Sequence, residues 1–150
     1  KDIAITDVFT EGQQVDIYSV TTGKGYQGAV KRFGVGLRSH KSEKGVRGPA
    51  NLGPWAGNRS WTVSHPGQTG MHTRKERNKW LLKISETADG INPRGGFLRY
   101  GLVKNTYILL KGSVPCHSKR LLRFTQPARL NPLMSDEAAV ISSISTSSKQ

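Results

Sequence analysis

The segment Gly23–Gly28 has the residue pattern that most directly suggests chemistry. Its glycines follow the G-x-G-x-x-G spacing of phosphate-binding loops, and Val30 extends the match to the kinase-like G-x-G-x-x-G-x-V. Such a loop needs a helix that opens at the glycines, so that its N-terminus faces a pyrophosphate. Gly34 and Gly36 interrupt any helix within two turns. The sequence therefore favours a glycine-rich corner whose Lys24 contacts an RNA backbone, with a nucleotide-binding phosphotransferase as the alternative.

Four histidines, His40, His65, His72 and His117, are the remaining candidates for metal or acid–base chemistry. No two of them have the spacing of a zinc site, and carboxylates are scarce near them. The single cysteine, Cys116, excludes an internal disulfide framework and a cysteine-based zinc site. Paired carboxylates and a serine elbow are also missing. We therefore expect no enzyme, no metal and no cofactor.

Charge is the strongest signal in this chain of 150 residues. Lys and Arg number 23 against 10 Asp and Glu, which gives a net charge of +13. Residues 31–80 hold 11 of the basic residues and only two acidic ones, Glu43 and Glu76. Lys and Arg gain affinity for polyanions by displacing counterions from phosphates. The composition therefore predicts a nucleic-acid partner rather than a small-molecule substrate, and an inert basic surface is the simpler alternative.

Alternating apolar residues and turn residues predict a mainly β fold. Strand patterns occur in residues 3–22, 97–100, 107–111 and 119–124, whereas residues 74–84 fit either a short helix or a strand. Several short strands punctuated by Gly and Pro are typical of a small barrel or sandwich. No apolar run approaches the roughly 20 residues of a membrane span, so we expect no membrane partner.

Residues 34–75 are irregular, with neither helical nor strand periodicity and with many glycines and prolines. So long an irregular stretch in a compact domain is either functional or disordered. Trp55 is flanked by Gly and Pro in this cationic segment, which favours a contact role over a core role. Trp61 fits either a contact or a strand that returns to the body, and Trp80 is expected in the core. The segment suits an extension that orders against RNA.

Several blocks of sequence, in the same order, resemble one family. Together they resemble the large-ribosomal-subunit protein L-three family, most of all its archaeal branch, over roughly residues 8–125. Relative to that family the chain is incomplete at its N-terminus, Cys116 stands where glycine is usual, and Glu43 stands where basic residues or His are common. The blocks are Val20–Gly34, Leu52–Trp55, Gly67–Gly70 with His72 and Arg74, Asn78–Lys79, Asn92–Phe97, Gly101–Asn105 and Leu110–Pro115.

The resemblance implies a small, partial Greek-key β-barrel of the translation-protein type with a long, irregular, basic extension loop. Residues 1–33 and 76–125 would supply barrel strands, residues 34–75 would form the loop, and residues 126–150 would form a C-terminal tail. The loop would penetrate the rRNA toward the peptidyl-transferase centre, with Trp55 at its tip. The resemblance thus implies that the irregular loop, and not the barrel, reaches deepest into the rRNA.

The function implied by the resemblance is that of a non-enzymatic structural constituent of the large ribosomal subunit, in cytoplasmic ribosomes. Its partners would be large-subunit rRNA and neighbouring ribosomal proteins, and it would support subunit assembly and translation. A general nucleic-acid-binding module is a further alternative. The expected phosphate-neutralising residues are Lys24, Lys31, Arg32, Arg38, Lys41, Lys44, Arg47, Arg59, Arg74, Lys75, Arg77 and Lys79. Stacking or hydrogen bonding to RNA is expected from His40, Trp55, Trp61, His65, Gln68 and His72.

Limited proteolysis of the free protein tests this division of the chain. The loop has little apolar surface to offset its ordering entropy, so we expect the first cuts within residues 34–75 or beyond residue 126. Mass spectrometry of the fragments locates each cut. Earlier cleavage within residues 97–124 would contradict the division.

Overall fold

The protein is mainly β, as predicted. A computed structural model describes residues 3–41, 44–55 and 57–148, so Glu43 and the extreme ends of the chain lie outside the described residues. The chain divides into two compact units, residues 1–20 with 73–150 and residues 21–72. A short 3₁₀ helix, Ile5–Asp7, comes first. The elements that follow are β1 (Gln14–Val20), β2 (Gly25–Gln27), α1 (Ala29–Phe33), β3 (Gly67–Thr69), β4 (Thr73–Ser85), β5 (Tyr107–Leu110) and β6 (Arg123–Thr125).

The first unit is built on an antiparallel four-stranded sheet with the order β5-β4-β1-β6. β1 pairs with β4 from Gln14 to Val20, and its other edge pairs with β6. β5 and β6 are the two edges of this sheet, so the described strands form an open sheet and not a closed barrel. The barrel closure implied by the resemblance stays a prediction.

The hydrophobic core lies on one face of this sheet. Alternate residues of a strand share a face, and Val15 and Ile17 of β1 are fully buried there. They pack with Phe9 and Leu81, and the Phe9 ring meets the Phe124 ring edge-on at a centroid distance of 6.3 Å. Each fully buried side chain of this size stabilises the fold by about 1.5–3 kcal/mol. The first unit therefore has an interior of its own.

The opposite face of β1 buries a carboxylate. Asp16 is only 1% exposed, and the register of β4 shifts beside it. Asn78, in this irregular part of β4, has a left-handed backbone with a φ of 54°, and its N–H donates to Asp16 Oδ1 at 3.0 Å. Asp16 Oδ2 accepts from the Lys75 ammonium at 2.8 Å and from the Ala128 N–H at 3.2 Å. One carboxylate thus connects β1, β4 and the segment after β6.

These partners decide the protonation of Asp16. Burial disfavours the charged carboxylate and by itself would raise its pKa. The hydrogen bond from Lys75 and those from the N–H groups of Asn78 and Ala128 outweigh burial, so the pKa of Asp16 lies below its ordinary value of 3.8. The hydrogen bond to Asp16 in turn raises the pKa of Lys75. The ion pair is therefore formed at neutral pH.

Two predicted strands differ from the structure. The strand expected over residues 97–100 was wrong, because Arg99 has a φ of 60° and these residues form turns, with one isolated bridge from Phe97 to Gly101. The strand expected over residues 119–124 begins only at Arg123, after Lys119 with a φ of 71°. A left-handed residue interrupts an extended backbone. Arg and Lys rarely adopt a positive φ, so the sequence gives no sign of these two interruptions.

Other predicted elements agree in part. Residues 3–22 contain a strand only from Gln14, and residues 107–111 contain β5. Residues 74–84, which fit a helix or a strand, lie within β4. Trp80 is half-buried and not fully in the core, and its indole N–H donates to the Gly12 carbonyl at 2.9 Å. In the tail, the Thr146 carbonyl accepts from the Arg94 N–H at 3.1 Å.

We expect Asp16→Ala to lower the free energy of unfolding by about 1–3 kcal/mol at neutral pH, because two N–H groups lose their acceptor. The folded pKa of Asp16 is depressed, so its contribution is present above the unfolded value and is lost as the pH falls through the folded value. The difference between wild type and variant should therefore shrink in acid. Urea unfolding across a pH series measures it.

The exposed Asp89 is the matched control for this substitution. Asp89→Ala should change the free energy of unfolding by no more than about 0.5 kcal/mol. Equal losses in the two variants would show that the contacts of Asp16 do not stabilise the fold.

Candidate nucleic-acid interface

The second unit, residues 21–72, has almost no buried side chains. Among its described residues, Ala29 alone is a buried apolar side chain. Eight Lys and Arg and three His accompany one acidic residue, Glu43. A chain with this composition cannot bury enough apolar surface to offset its own ordering. The large apolar side chains that this unit exposes are Tyr26, Phe33, Leu37, Leu52, Trp55, Trp61 and Met71.

The pairing of β2 with β3 orders one part of this unit. Tyr26 and Gln68 lie opposite each other in the ladder, and both are exposed. Beyond β3, Gly70 has a φ of 76°, and a Cβ at this position would lie 2.1 Å from the Thr22 carbonyl oxygen. Only glycine fits there. Gly67–Thr69 is thus a strand followed by a required glycine, and the Gln68 side chain is exposed.

The glycine-rich segment Gly23–Gly28 contains β2 and leads into α1. Gly28 is the N-cap of α1, and Gly34 ends the helix in a left-handed conformation with a φ of 70°, at the interruption that the sequence predicted. The helix has only five residues. So few aligned peptide dipoles leave little positive potential for a pyrophosphate. The geometry gives the nucleotide-binding alternative no support.

Two of the predicted RNA-contacting cations connect distant parts of the irregular backbone. Arg32 Nη1 donates to the His65 carbonyl at 2.7 Å, and the Arg32 guanidinium lies 4.9 Å from the Phe33 ring centroid. The Arg38 guanidinium donates to the Pro49 carbonyl. These charge-assisted hydrogen bonds replace some of the packing that the unit lacks.

Trp55 and Trp61 are exposed over 104% and 90% of their reference surface. Trp55 is thus excluded from a core, as the sequence favoured. Trp61 lies in a turn, which excludes the returning strand that the sequence left open. The N–H of Ser60, the residue before Trp61, donates to the Leu52 carbonyl at 2.8 Å. Both indole faces are accessible to stacking.

The other predicted site residues divide by exposure and by unit. Arg74, Lys75, Arg77 and Lys79 lie on β4 in the first unit, where Lys75 pairs with Asp16 and Lys79 pairs with Glu76 at 3.4 Å. The half-buried residues of the set are Arg38, His65, His72, Lys75 and Lys79. The exposed ones are Lys24, Lys31, Arg32, His40, Lys41, Lys44, Arg47, Trp55, Arg59, Trp61, Gln68, Arg74 and Arg77.

Sequence reasoning predicted Lys75 as a site residue but missed the group in which it lies, which we call the Tyr18 row: Tyr18, Lys75 and Arg123. Tyr18 of β1 lies opposite Lys75 of β4 on one side and opposite Arg123 of β6 on the other. Lys75 Nζ lies 4.9 Å and Arg123 Cζ lies 4.6 Å from the Tyr18 ring centroid. Only the pairing of three strands brings these residues together, so no spacing in the sequence indicates them.

Within residues 3–41, 44–55 and 57–148, no group of three or more His, Cys, Asp or Glu is arranged to hold a metal ion. The described helices are all too short and too polar to cross a membrane.

An open antiparallel sheet together with a cationic unit that lacks an interior defines a basic, mainly β protein. Residues 1–150 match the family model described as Ribosomal protein L3. The chain is 50% identical over 155 residues to the large ribosomal subunit protein uL3 of Methanosphaera stadtmanae, which covers 100% of this chain and 46% of that relative. It is 47% identical over 154 residues to uL3 of Methanocaldococcus jannaschii, with 100% and 45% covered.

The chain therefore belongs to the ribosomal protein L3 family, and the predicted resemblance is confirmed. A third relative, uL3 of Methanocorpusculum labreanum, is 47% identical over 152 residues, which cover 99% of this chain and 45% of that protein. The chain thus spans less than half the length of these curated relatives.

Paired tryptophan substitutions test the exposed surface. Trp55→Ala should change the free energy of unfolding by no more than about 0.5 kcal/mol, because its ring is fully exposed. Trp80→Ala should cost about 2 kcal/mol, since it removes a half-buried ring and its hydrogen bond to Gly12. Chemical denaturation measures both. A loss of stability in Trp55→Ala as large as in Trp80→Ala would place Trp55 in the core.

Proposed function

We propose that the chain is a non-enzymatic, structural constituent of the large ribosomal subunit and that residues 21–72 bind large-subunit rRNA. The observation that carries the proposal is the second unit itself, in which eight Lys and Arg accompany one carboxylate and the large apolar side chains are exposed. Its relatives are named as proteins of the large ribosomal subunit. Folded RNA offers such a unit both the negative charge and the stacking surfaces that it lacks.

Electrostatic attraction to phosphates would provide most of the affinity. The cationic side chains of Lys24, Lys31, Lys41, Lys44, Arg47 and Arg59 are exposed, and they make no hydrogen bond or ion pair with another described residue. Each contact with a phosphate releases condensed counterions, so binding weakens as salt rises. Arg32 and Arg38, which bond the unit's own carbonyls, would instead hold the backbone in place against the RNA.

Aromatic and amide side chains would contact bases and sugars. The indole faces of Trp55 and Trp61 suit unpaired bases, and stacking contributes about 1–3 kcal/mol per base. The exposed Gln68 amide can both donate and accept, and His40, His65 and His72 would hydrogen-bond nearby. Trp55 would lie deepest, toward the peptidyl-transferase centre. Neighbouring ribosomal proteins would be further partners in the cytoplasmic ribosome, where the protein supports subunit assembly and translation.

A filter-binding assay with large-subunit rRNA tests this function. We compare wild type with Lys41→Gln/Lys44→Gln and with the charge-matched control Lys83→Gln/Lys104→Gln, whose residues are exposed in the first unit. Loss of two phosphate contacts should lower the slope of log affinity against log salt by about two in the first variant only. Equal slopes in all three proteins would contradict the proposal.

Two further arms of the assay separate the alternatives. Equal affinity for duplex DNA and for structured rRNA would favour a general nucleic-acid-binding module. Saturable ATP binding that is lost in Gly25→Ala would favour the phosphotransferase. The proposed function predicts a preference for rRNA and no change in ATP retention on that substitution.

A further inference from the structure

We propose that the Tyr18 row on the first unit is a second phosphate-binding site for large-subunit rRNA, in which the Arg123 guanidinium holds a phosphodiester. The inference rests on the proposed function in taking rRNA as the partner. It adds a site that lies outside residues 21–72 and whose contact residue, Arg123, was not among the residues predicted from the sequence.

The charges of the row leave one cation without a carboxylate. Lys75 is held by the buried Asp16, at 2.8 Å, and is 23% exposed. Arg123 is exposed, and the Tyr18 ring is its only partner among the described residues. A guanidinium carries five N–H donors, and an aromatic ring satisfies none of them. The row therefore has unused donors and a net positive charge at Arg123.

The Tyr18 ring holds the Arg123 guanidinium, with Cζ 4.6 Å from the ring centroid. A guanidinium that stacks on a ring keeps its N–H groups at the edge of its own plane, where they can bind a phosphate with two hydrogen bonds. Lys75, on β4, contacts the same ring with its ammonium, so the Tyr18 ring lies between a cation from β4 and one from β6. Tyr18 and Lys75 are positioning residues in this arrangement, and Arg123 is the contact residue.

The exposed cations of β4 and β6 favour a partner with several phosphates. Lys75 Nζ and Arg123 Cζ lie 4.9 Å and 4.6 Å from the Tyr18 ring centroid, so the two cations share one ring. The Asp16 carboxylate offsets the charge of Lys75, so the positive charge of Arg123 is the one left for a polyanion. Arg74 and Arg77 on β4 are also exposed. A nucleic acid carries phosphates in series and matches several such cations better than a single acidic side chain does.

The test uses the full chain, large-subunit rRNA and the variants Arg123→Gln and Arg123→Lys, with Lys83→Gln as the charge-matched control. We expect Arg123→Gln to weaken rRNA binding by about fivefold to tenfold at low salt and to leave the thermal midpoint within the range of the control. Arg123→Lys should restore only part of the affinity, because an ammonium keeps the charge and loses the planar fork. Tyr18→Leu should weaken binding, whereas Tyr18→Phe should preserve it.

Equal binding by Arg123→Gln and Lys83→Gln would overturn the Tyr18 row as a site. If wild type still binds rRNA with the expected dependence on salt, that failure leaves the proposed function intact. If wild type shows no such binding, both proposals fail. Poly-glutamate serves as the competing polyanion. A loss of poly-glutamate binding in Arg123→Gln as large as the loss of RNA binding would show nonspecific anion attraction and also overturn the site.

Discussion

Repulsion among the cations of residues 21–72 is the constraint on which the account depends. The unit holds eight Lys and Arg, one acidic residue and almost no buried apolar side chain, so its charges oppose compaction and little burial favours it. A partner with dense negative charge removes the repulsion, and exposed indoles gain surfaces on which to stack. The same feature explains why Trp55 lies in solvent and why Arg32 and Arg38 bond backbone carbonyls.

In the first unit, which has a hydrophobic core, several cations have partners within the fold. Val15, Ile17 and Leu81 supply a buried core, and nearby cations have partners within the unit. Lys75 pairs with Asp16, and Lys111 lies 5.5 Å from the Trp80 ring centroid. Lys and Arg residues therefore stabilise the fold in the first unit and mostly stay available to a partner in the second. The carboxylates and aromatic rings near each cation decide which of the two applies. Arg123 differs from both groups, since it contacts the Tyr18 ring and pairs with no carboxylate among the described residues.

Sequence reasoning succeeded where local pattern decides the structure. Composition and turn residues predicted the mainly β fold, and the Gly-Pro context of Trp55 predicted its exposure. Sequence reasoning failed where the structure depends on strand pairing between distant residues or on a single backbone angle. Residues 97–100 carry strand formers, but the left-handed Arg99 makes them turns. The partner of Lys75 and the Tyr18 row both depend on the register of three strands, which no spacing in the chain encodes.

Hydrogen exchange of the backbone amides, with the protein free and bound to large-subunit rRNA, shows whether residues 21–72 become ordered only on RNA. In the free protein, amides of residues 44–55 and 57–66 should exchange rapidly, because few of them donate to another backbone group, whereas those of β1 and β4 should exchange slowly. Binding should slow the first group by about 100-fold or more and change the second group little. Slow exchange of residues 44–55 in the free protein, unchanged by rRNA, would contradict the account.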